Sequence, residues 1–161
     1  MTDGITGGQL RAMSYEELES LCEELRGNII ESVMANGGHL SSNLGMVELT
    51  VALHYVFDFP RDKVVFDVGH QCYAHKMLSG RAAGFAKLRK RGGVSGFPKR
   101  EESAYDCYNT GHAGTSVSAA MGIAKARDLS GKDYSVIAVI GDGSFNNGLV
   151  YEAFNSLRQL N

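Results

Sequence analysis

The sequence predicts an α/β fold, a parallel sheet flanked by helices. Two β-branched runs carry that expectation, KVVFDV (Lys63 to Val68) and YSVIAVI (Tyr134 to Ile140), and each stops at a glycine. Stretches of helical spacing surround both runs, and strands alternating with helices imply parallel βαβ packing in a layered α/β domain. Ligands of such sheets gather beyond the carboxyl ends of the strands. Here those ends are Gly69-His70 and Gly141-Asp142-Gly143, at one edge of the predicted sheet.

Residues 1–13 read as a flexible arm, and 14–161 as one domain. Ser14 and Glu17 form the S-x-x-E pattern in which side chain and backbone cap each other. Leu18, Leu21, Leu25, Ile29 and Val33 follow at spacings of three and four, a single apolar helical face that ends at Asn36-Gly37-Gly38. HLSSN (His39 to Asn43) is a polar turn, and Leu44 to Phe57 a buried helix stopped by Pro60 and Asp62. After the first strand, HQCYAHKMLSG reads as a helix starting at His70, followed by a short basic helix from Phe85 to Arg91. Gly92 to Gly114 is irregular, and irregular segments of that length are commonly functional. TSVSAAMGIAKARDLSG is a helix rich in small residues, and Leu149 to Leu160 is the last helix.

Composition narrows the function classes. With 161 residues, 43% hydrophobic and 21% charged, the chain can bury one sizeable core. A net charge of −2 argues against nucleic-acid or anionic-membrane partners. No apolar run is long enough to span a bilayer, and MTDGITGGQL lacks the order of a signal peptide. Three scattered cysteines without a C-x-x-C pair suit free thiols in a reducing cytoplasm.

Asp142 is the first candidate residue. A strand-end carboxylate between glycines can bind a hard cation, while the glycines let backbone amides approach a phosphate; the plainer alternative is a helix cap or turn residue. His39, His70 and His112 each sit at a glycine-flanked element boundary, where they either meet a common anion or serve as surface and capping residues. His70, Cys72 and His75 resemble zinc ligands in spacing, but positions 70 and 72 point to different faces of a helix and no second Cys/His pair follows. Gly141, Gly143 and Gly148 do not have dinucleotide-binding spacing. Lys87 to Arg91 is a solvated basic face, and Lys99-Arg100 is either solvated or meets an anionic substrate.

The long stretches GGHLSSNLGMVELTVALHYVFDFPRDKVVFDVGHQCYAHKMLSGR, GGVSGFP, ESAYDCYNTGHAGTSVSAAMGIAKARDL and VIAVIGDGS, in this order, resemble the N-terminal part of the 1-deoxy-D-xylulose-5-phosphate synthase family, in the thiamine-diphosphate-dependent transketolase superfamily. The resemblance runs from about Tyr15 to the end of the chain and implies a thiamine diphosphate-binding domain, incomplete at its C-terminus. It implies a cytoplasmic homodimer that condenses pyruvate with glyceraldehyde 3-phosphate and releases CO2, feeding isoprenoid precursors and often thiamine. Asp142 would bind Mg2+, and Gly143 and Ser144 would approach the diphosphate by backbone. His70 and the Gly111-His112-Ala113 turn would line the cofactor, with His39 near the reacting ring. Two departures stand out: Phe145 follows where the family has a small turn, and Ala113 stands where it often has Ser. The family's second metal-binding turn and its activating Glu would follow Asn161, so the 161 residues alone are expected to be inactive. The alternatives are a transketolase-like N-terminal subunit, or a non-catalytic fragment or binding module.

Overall fold

A computed structural model describes residues 4–158. Where one domain is expected, contacts gather the chain into two units, Met1–Phe59 with His70–Gly96, and Pro60–Gly69 with Phe97–Asn161.

The first unit is helical. Its longest element, α2 (Tyr15–Asn36), follows a short α1 (Gly7–Ala12). Ser14 accepts from the Glu17 amide, and the Glu17 carboxylate answers to the Ser14 amide at 2.7 Å, so two of the orphan donors at the start of α2 are satisfied. Leu21, Leu25, Ile29 and Val33 are buried as their spacing predicts, and Leu18 is half-buried. Full burial of a side chain such as Leu25 or Ile29 contributes about 2 kcal/mol. The flexible arm expected over 1–13 contains α1, which Thr6 and Gln9 cap reciprocally and which buries Leu10 completely. Thr6-x-x-Gln9 is the same capping signal as Ser14-x-x-Glu17, but a helix of six residues is too short to announce itself by periodicity.

Three further expectations in this unit are corrected. The helix predicted over 44–57 is divided into α3 (Ser41–Leu44) and α4 (Val47–Val56), because the chain tightens at Gly45, with Met46 N–H donating to Asn43 O at 3.1 Å. The helix predicted from His70 begins at Tyr73 as α5 (Tyr73–Lys76) and loosens into a π turn, Met77–Arg81, where Gly80 takes φ +85°. The basic helix predicted over 85–91 is a 3-10 turn, Ala82–Lys87, and then a reversal in which Arg89 adopts φ +61° and its amide bonds Val94 O at 2.7 Å.

A buried pair of histidines joins α4 to α5. His54 Nε2 and His75 Nδ1 are 2.9 Å apart, and both rings pack edge-on against Phe59. Burial, then His75 and Arg81, hold the His54 pKa well below the ordinary histidine value of 6.5. The unfolded chain therefore binds a proton near pH 6.5 that the folded chain refuses. Stability from this site is complete above about pH 6.5 and drains away as pH falls from there toward the depressed folded value. The urea midpoint of the chain should drop with acidification in that window, and His54→Gln should flatten the slope; an unchanged slope in the variant would refute the assignment.

The second unit holds the sheet. β1 (Lys63–Phe66) pairs in parallel with β2 (Val136–Val139), register Lys63 with Val136 through Phe66 with Val139, so the predicted βαβ arrangement is present with shorter strands. The crossover helix is α6 (Ser116–Leu129). After β2 come α7 (Asp142–Phe145) and α8 (Gly148–Leu157), and Val117, Val150 and Ala153 form a small core with Ile140 against it. The predicted end of the last helix, at Leu160, lies outside the described residues. Ser135 N–H donates to the buried Asp62 carboxylate at 2.7 Å, and Arg127 Nη1 to Tyr134 O at 2.9 Å, which fixes where β2 begins. Among the described residues no helix is long and apolar enough to cross a membrane.

Candidate functional site

The carboxyl ends of β1 and β2 lie at one edge of the sheet because the strands are parallel. Beyond β2, Gly141, Asp142 and Gly143 are exposed, and a Cβ built on either glycine would meet nothing within 4 Å. The turn therefore has open space in front of its backbone, as a phosphate-bearing ligand requires. Asp142 sits in the first turn of α7, with its carboxylate in solvent. Phe145 is exposed and leans on Tyr151 and Phe154, so the bulky residue that departs from the family's turn is accommodated on α8.

The second turn of this unit precedes α6. Gly111, His112 and Ala113 are exposed, and Gly111 also borders open space. Gly114 is buried at φ +81°, with the Asn147 side chain where its Cβ would be. Only glycine combines that backbone with that contact. The Gly114 and Ser116 amides donate to the two oxygens of Asp67, at 2.9 and 3.0 Å. Asp67 is 1% exposed. Burial alone would raise its pKa, but Ser116, the Gly114 and Ser116 amides and the Ser144 hydroxyl outweigh it, and the carboxyl is held below the usual value. The Ser116 hydroxyl lies beside the carboxylate without full hydrogen-bond geometry.

In the first unit, His39 and His70 meet edge to face, ring centroids 5.2 Å apart. Asn43, fully buried, holds them from behind. Its Nδ2 donates to His39 O at 2.6 Å and His70 O at 2.8 Å, and its Oδ1 accepts from Tyr73 N–H at 2.9 Å. The His39 amide donates to the Tyr73 hydroxyl at 3.4 Å. Burial, then His70 and Arg89, lower the His39 pKa, so its imidazole is neutral at pH 7. His70 Nδ1 is buried and has no hydrogen-bond partner among the described residues. A buried polar atom left open is costly, and it is an opening for a ligand atom.

A groove of about 720 Å³ between α2 and α4 lies elsewhere in the first unit; Leu18, Cys22, Val51 and Tyr55 make it mainly apolar, and no histidine lines it. Among the described residues no cluster of three or more His, Cys, Asp or Glu side chains is placed to hold a metal ion. His75 bonds His54 and Cys72 is fully buried, so two of the three side chains of the zinc-like spacing are engaged in the core of the helical unit.

The sequence model of 1-deoxy-D-xylulose-5-phosphate synthase matches residues 5–161. The chain belongs to this family. Curated 1-deoxy-D-xylulose-5-phosphate synthases are similar along nearly the whole chain. The Clostridium tetani protein is 58% identical over 148 residues, 92% of this chain and 24% of its own length. The Desulforudis audaxviator protein is 55% identical over 161 residues, 99% of this chain and 25% of its own. The Nitrosomonas europaea protein is 55% identical over 148 residues, 92% and 24%. The chain thus spans about a quarter of the length of the curated relatives it matches.

The synthase family's implied residues fall into two local sets. In the second unit Asp67 holds the backbone that follows Gly111, His112 and Ala113, and Asn147, just after the turn of Asp142, Gly143 and Ser144, packs on Gly114; the first unit brings His39 to His70. Reading the sequence for chemistry passes over Asp67, Asn43 and Tyr73, which carry the hydrogen bonds. Asn43 ends the polar HLSSN turn, and Asp67 is an acidic residue inside an otherwise β-branched run; that second anomaly is the one signal that could have singled a supporting residue out.

Proposed function

We propose that this chain is the N-terminal, diphosphate-binding part (residues 14–161) of a 1-deoxy-D-xylulose-5-phosphate synthase. Such an enzyme is thiamine diphosphate- and Mg2+-dependent, joining pyruvate to glyceraldehyde 3-phosphate with release of CO2 for isoprenoid precursors. The observation that carries the reading is the open Gly141-Asp142-Gly143 turn at the end of β2, in a chain matched by the family from residue 5 to 161.

The residues present fit the cofactor's needs. Mg2+ takes one or two carboxylates and completes its shell with water and substrate phosphates; Asp142 is an exposed carboxylate able to serve. The Gly143 and Ser144 amides would meet the diphosphate, and the Gly111 to Ala113 turn, with its exposed backbone, would line the cofactor. When bound, thiamine diphosphate supplies the carbon nucleophile that decarboxylation and condensation require. His70, with its open Nδ1, is a cofactor contact. His39 is the catalytic residue: a neutral imidazole accepts a proton at neutral pH, and the Asn43 and Tyr73 bonds hold its backbone in place. The working protein is a cytoplasmic homodimer.

The reading is tested by joining the chain to the remaining three quarters of a relative such as the Clostridium tetani enzyme. Pyruvate, glyceraldehyde 3-phosphate, thiamine diphosphate and Mg2+ should give 1-deoxy-D-xylulose 5-phosphate and CO2. Ketose-phosphate transfer without pyruvate consumption would assign a transketolase-like subunit instead. No turnover from a folded hybrid would leave the binding-module alternative.

A further inference from the structure

We propose that Asp67 is the positioning residue of the second unit, a carboxylate at the end of β1 that sets the backbone of the candidate cofactor turn before α6, Gly111 to Ser116. The role in turn geometry follows from the hydrogen bonds; its meaning for the cofactor rests on the reading proposed above.

A buried carboxylate is expensive unless donors surround it. Those of Asp67 come from far along the chain: the Gly114 amide on one oxygen and the Ser116 amide on the other. Both belong to the start of α6. The N-cap residue of that helix, Thr115, makes no side-chain cap bond, and its hydroxyl donates instead to His112 O at 3.2 Å. Asp67 therefore does from a neighbouring strand what a local cap does elsewhere. One carboxylate thus holds the end of the turn of His112, and the Asn147 side chain, which follows the turn of Asp142, packs on Gly114 from outside.

The backbone around Asp67 is bent to permit this. Gly69 N–H returns to Asp67 O at 2.6 Å across Val68, which adopts φ +58°. That is a three-residue turn of the rarer, strained hand, at a β-branched residue that disfavours it. Strain of this kind persists where surrounding contacts over-determine it. Gly69 itself has φ +89°, and a Cβ there would run into the Thr110 hydroxyl and the Pro98 ring.

There is a chemical consequence. The Gly114 and Ser116 amides are already taken by a carboxylate, so the start of α6 is not an anion site. Diphosphate donors must then come from the exposed backbone of Gly111 to Ala113 and of the turn after β2.

The test uses the 161-residue chain, with Asp67→Asn as the main variant. An amide group keeps the size but turns one acceptor into a donor facing an N–H. Hydrogen exchange at the Gly114 and Ser116 amides should quicken by roughly tenfold or more, as loss of a charge-assisted bond predicts, with α2 amides unchanged. Affinity for thiamine diphosphate with Mg2+ should fall by a similar factor. Unchanged exchange at these amides overturns the proposal, as does a uniform rise across the chain, which would make Asp67 a general stabiliser. A loosened turn with undiminished thiamine diphosphate affinity also overturns it. If the wild-type chain binds no thiamine diphosphate yet Asp67→Asn loosens this turn alone, the positioning role stands and the cofactor reading is the one that fails. Should Asp67→Asn not fold, exchange in the wild-type chain decides: Gly114 and Ser116 amides protected far beyond those of the exposed Gly111 to Ala113 support the proposal, and equally fast exchange overturns it.

Discussion

Asp142→Ala should weaken Mg2+-dependent thiamine diphosphate binding at least about 100-fold in the chain joined to the rest of a relative, since even groups that merely orient metal ligands are worth about 10- to 100-fold. Asp142 is the one carboxylate of the open turn after β2, and its exposure leaves its oxygens available to a cation. Removing the carboxylate removes charge where a diphosphate and a divalent ion would have to be brought together. The loss should disappear when binding is measured with thiamine lacking the diphosphate. Asp142→Asn keeps one oxygen ligand and should fall between wild type and Ala. Calorimetry that finds the same affinity in the Ala variant as in wild type would remove Asp142 from the metal-binding role.

Asn43→Ala should cost about 3 kcal/mol of stability, because buried groups left without partners cost about 1–3 kcal/mol each. The groups are the His39 and His70 carbonyls and the Tyr73 amide, which share one fully buried carboxamide. The informative variant is Asn43→Asp. It keeps the acceptor for Tyr73 N–H but sets a carboxylate oxygen against two carbonyl oxygens, now 2.6 and 2.8 Å from Nδ2. It should be at least as destabilising as Ala at neutral pH and recover partly as acid protonates the new carboxyl. Urea unfolding that finds Asp as stable as Asn would mean that the carboxamide donor is not what holds His39 and His70 together.

The sequence by itself determined the features whose causes are local. α2 is legible because its cap, its apolar spacing and its terminating Gly37 lie within one run of chain. The two strands are legible from β-branched residues, and their parallel pairing from the helical crossover between them. The Asp142 turn and the boundary histidines are legible because glycine beside a functional group at an element's end is a local pattern. Breaks in the helices were less so. Arg89 takes its left-handed backbone where its amide meets Val94 O, a reversal that no propensity encodes.

Tertiary structure alone decided which polar residues hold the candidate site residues. Asn43 reaches His70 and Tyr73 across 27 and 30 positions, His54 reaches His75 across 21, and Asp67 reaches Gly114 and Ser116 across 47 and 49. An Asn in a polar turn and an Asp at the end of a strand look like surface residues until the chain returns to bury them. Burial then reverses the energetics, since a polar group that water would satisfy must find fixed partners or cost free energy. Those partners are set by how distant segments pack, and so Asp67 and Asn43 acquire their roles only in the folded chain.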